Sequence, residues 1–112
     1  MRQVSTQILS GATDGSITGS AQPTQQWVSA SFQIGCNGLD EAGTVKLQGC
    51  NDNGVASNWS DIPNATSAVS SGVGPMILLA NMAFCYVRAV YTRSGGGASN
   101  KTLTVQANGL SI

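Results

Sequence analysis

Apolar and polar residues alternate with a period of two through most of the chain, the signature of half-buried strands. Over Trp27–Cys36, the residues Val28, Ala30, Phe32, Ile34 and Cys36 share one face, and Ser29, Ser31 and Gln33 share the other. That pattern predicts a strand with one side on a core and one side facing water or a partner. Val45 and Leu47 alternate with Thr44, Lys46 and Gln48, which predicts a second strand. Within residues 84–93, Cys85, Val87, Ala89 and Tyr91 fall on one face, and Phe84, Tyr86, Arg88 and Val90 on the other. Both faces are largely apolar, so this strand is expected to be central or to carry an interface on its outer side. Leu103, Val105 and Ala107 point inward in the last segment, with Thr104 and Gln106 outward. The longest apolar run, residues 76–80, is far shorter than a membrane span and reads as a further strand.

Turn chemistry separates these segments. Asn51-Asp52-Asn53-Gly54 is dense in residues that tolerate positive φ or bond their own backbone, so the chain should reverse there into a second short strand after Trp59. Asn37-Gly38 predicts another reversal, and the glycine-rich residues 94–100 predict an exposed loop tip. Residues 64–74 are small and polar and fit either short strands or an irregular connection. Residues 1–26 form a polar arm punctuated by Gly11, Gly15, Gly19 and Pro23. Within it Val4, Thr6 and Ile8 suggest a first strand, and Ile17 a weak second one. Pairing inside the domain is expected for that strand, and addition to a neighbouring subunit is the alternative. No helical period appears. The expected architecture is all-β: an arm over residues 1–26, then an antiparallel two-sheet β-sandwich over residues 27–112, jelly-roll or immunoglobulin-like.

Composition sharpens the functional expectation. The 112 residues suit one domain with its own core, but only 9% are charged, against roughly 25% in typical domains. The formal net charge is zero, so little electrostatic repulsion opposes association. Arg2, Lys46, Arg88, Arg93 and Lys101 are scattered, which argues against a nucleic-acid partner. The start of the chain leads into no apolar segment of the kind a secretory signal needs, so no membrane partner and synthesis in a reducing cytoplasm are expected. Histidine is absent, which removes the commonest general base and metal ligand. No catalytic set can be assembled, and neither an enzymatic activity nor a cofactor is expected. Cys36, Cys50 and Cys85 lack metal or redox spacing and read as small buried hydrophobes, with a Cys36–Cys50 bridge as the alternative.

The candidate contacts cluster after the second strand. Asn51, Asp52 and Asn53 sit in the turn; Asp52 and Asn53 with Asp61 could offer oxygen ligands to calcium, although a tight turn needs the same residues. Trp59, Tyr86 and Tyr91 could form an aromatic platform for sugar, with the neighbouring amides supplying hydrogen bonds. The competing reading packs Trp59 over the end of the sandwich with Tyr86 beneath it. Arg88 has apolar neighbours, so pairing with a carboxylate or with backbone carbonyls is expected.

The order of these pieces resembles small β-sandwich structural proteins of bacteriophage virions. The pieces are Cys50-Asn51-Asp52-Asn53-Gly54, Trp59, Ser60-Asp61-Ile62, an apolar strand, residues 86–92, the glycine-rich loop and Leu103-Thr104-Val105. The resemblance covers roughly residues 27–112. It implies a non-enzymatic capsid-decoration, spike or tail-associated subunit that assembles with itself and with other virion subunits after synthesis in the host cytoplasm. The turn, Trp59 and Tyr86-Val87-Arg88 are also similar to discoidin-type, galactose-binding-like sandwiches. That likeness implies the alternative function, a carbohydrate-binding module whose partner would be a host-surface glycan touching Trp59, Asn51, Asp52, Asn53 and Tyr86.

Overall fold

A computed structural model of the chain describes residues 2–12, 15–24, 27–36, 43–51, 58–69, 72–79, 85–93 and 102–111. The strands are β1 (Arg2–Ala12), β2 (Ile17–Thr18), β3 (Gln22–Pro23), β4 (Trp27–Cys36), β5 (Gly43–Cys50), β6 (Ser60–Val69), β7 (Gly72–Leu79), β8 (Tyr86–Arg93) and β9 (Thr102–Ser111). They form two antiparallel sheets, the first in the order β1-β9-β4-β7 and the second β2-β8-β5-β6, with β3 also on β8. Pairing is nested: β5 with β6, β4 with β7, β2 and β3 with β8, and β1 with β9. The chain is thus one long hairpin, rolled so that β4 meets β9 and β5 meets β8. That is the jelly-roll connectivity, which decides between the two sandwich topologies left open by the alternation pattern.

The two inner faces supply the core. Phe32 and Ile34 of β4, Val45 and Leu47 of β5, Val87, Ala89 and Tyr91 of β8, and Leu103, Val105 and Ala107 of β9 are all fully buried. Each large apolar side chain among them contributes about 1.5–3 kcal/mol by leaving water. Residues 1–26 contribute to both sheets. β1 pairs with β9 along nearly its whole length, so the first strand stays in its own domain. Thr24 N–H donates to Cys85 C=O, and Trp27 N–H to Thr24 C=O, fastening the chain between β3 and β4.

Strict alternation fails at four irregularities of register, one of them in β7 opposite Ile34. Trp27 pairs with Ser111 and Ser29 with Leu110, so Val28 is the extra residue. Trp27 therefore turns inward and is buried, whereas Val28, expected on the core face, is only half-buried. Gly109 makes room for it, since a Cβ there would collide with the Trp27 ring at Cδ2 and Cε2. A bulge between Gln7 and Leu9 buries Ile8 and Leu9 together. In β6, Leu47 faces a four-residue stretch, because Lys46 pairs with Thr66 and Gln48 with Asp61. Asn64 takes φ 62° within that stretch, a conformation Asn tolerates better than most residues. Pro63 is accommodated there because β6 is a sheet edge. Residues 64–74 are thus mostly strand. Cys50 and Cys85 take part in no disulfide. The Cys36–Cys50 bridge is not formed, since the Cys50 thiol is not oxidised to a disulfide.

Candidate functional site

Register builds a polar row on the outer face of the second sheet. Gln48 lies directly opposite Asp61 on β6 and Arg88 on β8. Arg88 Nε donates to Gln48 Oε1 at 2.8 Å, and Gln48 Nε2 donates to Asp61 Oδ1 at 2.8 Å. Lys46 Nζ closes the row, 3.2 Å from Asp61 Oδ1 and 3.3 Å from Oδ2. The Gln48 amide hydrogen bond, and after it Lys46, hold the Asp61 carboxyl below its ordinary value. Trp59, half-buried just before β6, receives the Arg88 guanidinium 4.4 Å from its ring centroid. Among the described residues Arg88 is therefore not bound directly to a carboxylate or to backbone carbonyls. Its described partners are an amide oxygen and a ring face, and the Asp61 carboxylate is reached through Gln48.

The other expected contacts separate. Asn51 Oδ1 accepts from Cys85 N–H at 3.1 Å, so its oxygen joins the ends of β5 and β8. Tyr86 is half-buried on the Arg88 face of β8, opposite Cys50 and Pro23. Tyr91 is fully buried in the core on the opposite face, so the three-ring platform of Trp59, Tyr86 and Tyr91 does not assemble. Asp52 and Asn53 lie outside the described residues, as do the reversal at Asn37-Gly38 and the glycine-rich loop. Among the described residues no three His, Cys, Asp or Glu side chains come together, and the oxygens of Asp61 are already engaged by Gln48 and Lys46.

The outer face of the first sheet is of another kind. Ser5, Asn108, Ser31 and Leu78 form one row across its four strands, and Gln7, Gln106 and Gln33 the next. These rows hold no charged residue. Gln106 Nε2 donates to Ser5 Oγ at 2.9 Å. Leu78 is 72% exposed and borders a shallow depression of about 360 Å³, with Gln3, Ser31, Asn108 and Leu110 among its walls. Outward Ser and Gln were legible in the alternation of β4 and β9. Their alignment into one uncharged surface needs the pairing of four strands.

No protein-family model and no curated protein sequence matches this chain. Solved structures do. The crystal structure of the SPBc2 prophage-derived protein YomS covers 98% of this chain and 94% of its own, with a TM-score of 0.66 and 10% identity. A subunit from Bacillus endospore appendages, described as a family of disulfide-linked pili, covers 98% of this chain and 88% of its own at TM-score 0.55 and 14% identity. PirA aligns over 92% of this chain and 90% of its own at TM-score 0.50 and 17% identity. At such identities the likeness is one of fold: an all-β sandwich shared with a prophage-derived protein and an appendage pilin.

Proposed function

We propose that this protein is a non-enzymatic structural subunit of a bacteriophage virion, a capsid-decoration, spike or tail-associated protein that assembles with itself and with other virion subunits. The observation that carries the reading is the uncharged outer face of the first sheet. A surface of amides, hydroxyls and one exposed leucine can be covered by a partner without stripping water from any charge, the costliest part of closing an interface. The shared fold with a prophage-derived protein and with a pilin supports it, and jelly rolls recur in viral capsids. The carbohydrate-binding alternative would use Trp59, one face of which already carries the Arg88 guanidinium. The expected result is an oligomer by size exclusion with light scattering, and co-sedimentation with phage particles lacking their own copy. A strict monomer with no affinity for particles overturns the reading. Binding to a glycan array that disappears in Trp59→Ala, with the fold intact, would favour the alternative.

A further inference from the structure

The four sheet edges are not equally protected against pairing with another chain. β7 carries Gly74 and Pro75 as two residues against Ile34, a bulge with one N–H missing. β6 carries Pro63, the left-handed Asn64 and the long irregularity opposite Leu47. β2 and β3 are two residues each, and β3 ends in Pro23. These are the usual devices that blunt an edge. β1 differs. Beyond its bulge it is partly covered, since Ile8 C=O accepts from Ser20 N–H at 3.0 Å and Ile17 packs close to Gly11. Before the bulge, residues 2–7 form a regular ladder with β9 on one side. Among the described residues no strand lies on the other side. This segment has no proline, no glycine and no inward-pointing charge in its middle. Its side chains are Gln, Val, Ser and Thr apart from Arg2.

We propose that the free edge of β1 over residues 2–7 pairs antiparallel with the same edge of a second copy, about a two-fold axis. This deepens the assembly reading above and rests on it. The pairing joins two four-stranded sheets into one of eight strands and satisfies the outward backbone groups of both chains. Antiparallel pairing about an axis at Val4 or Ser5 puts Arg2 opposite Thr6 or Ile8, never opposite its own copy, whereas parallel in-register pairing stacks Arg2 on Arg2. A second copy fits because it brings the same unblunted edge, and Gln3, Ser5, Thr6 and Gln7 both donate and accept, so the edge is complementary to itself about a two-fold axis. The uncharged rows Ser5–Asn108–Ser31–Leu78 then continue across the junction onto the partner's sheet.

The test combines light scattering over a concentration series with amide hydrogen exchange on the same samples. The expected wild type is a dimer or a multiple of one, with slower exchange at residues 2–7 as concentration rises. In the triple variant Gln3→Lys, Ser5→Lys, Gln7→Lys, like charges face each other across the junction. Its dissociation constant is expected to rise about a hundredfold with an unchanged circular dichroism spectrum. A wild-type oligomer whose residues 2–7 exchange independently of concentration, or that the folded triple variant retains, overturns this interface and leaves the assembly reading standing. A wild type monomeric at every concentration overturns the interface too, and the assembly reading then rests on particle binding alone. If the triple variant does not fold, the exchange measurement on the wild type decides.

Discussion

The outer faces of the two sheets share a backbone plan and differ in what fills it. Each presents a row across neighbouring strands with an amide side chain at its middle: Gln48 between Asp61 and Arg88 on the second sheet, Gln106 between Gln7 and Gln33 on the first. On the second sheet the row ends in charge. Lys46 meets Asp61 directly, Arg88 is linked to Asp61 through Gln48, and Trp59 lies against the guanidinium. On the first sheet the row has no charge to satisfy. A partner that covered the second face would have to desolvate an ion-pair network, and one that covered the first would meet only neutral groups. The difference teaches that Lys46, Asp61 and Arg88 are held together on one face, while the rows described on the other face hold no charge at all.

The largest expected effects fall on the core, where the two sheets should behave alike. Gly109→Ala drives a methyl into the Trp27 ring in the first sheet, and Gly43→Ala places one 2.5 Å from Tyr91 Cε1 in the second. Both rings are buried and cannot swing away. Each substitution should cost about 3 kcal/mol in urea unfolding, and a large inequality would show that one sheet yields more readily than the other. The outer faces should then part company. Arg88→Ala removes the Gln48 hydrogen bond and the contact with Trp59, an expected loss of about 1–2 kcal/mol. Gln106→Ala on the first sheet should stay within about 0.5 kcal/mol. Equal effects would dissolve the contrast between the faces.

The smallest effect is electrostatic. Asp61 has its carboxyl held below the ordinary 3.8, so its contribution is present above that value and fades as pH falls through the lower, folded-state value. Asp61→Asn should lower stability slightly at neutral pH and flatten the corresponding part of the acid limb in a stability–pH profile, so that variant and wild type converge at low pH. Salt should weaken the exposed Lys46–Asp61 contact without touching the first sheet. A salt response that survives Asp61→Asn would place the electrostatics elsewhere.

Alternation was enough to find β4, β5, β8 and β9, because their inward residues are uniformly apolar and their outward ones mostly polar. It misplaced Val28 because a bulge shifts the phase by one residue, and nothing local distinguishes Val28 from Trp27 as the residue to turn in. The choice of jelly roll over immunoglobulin-like topology was out of reach, since it depends on β9 lying beside β4, a pairing between distant segments. The site was partly legible. Trp59 and Arg88 stood out singly, but their link runs through Gln48, and only the register of β5 against β6 and β8 reveals it. Tyr91 was legible and misread: its own alternation puts it on the core face, five residues and one face away from Tyr86.

The nested pairing also orders the molecule in time. Gly49 meets Ser60 across a short connection, whereas Arg2 and Ser111 meet across 109 positions. The entropy of closing a loop grows with its length, so the inner hairpin of β5 and β6 is the least costly to form and the β1–β9 ladder the most. Among the described strands β1 is the first to be synthesised, and its ladder partner β9 is the last. On the ribosome the segment with the least protected edge must therefore wait, unpaired, until almost every other strand has been made.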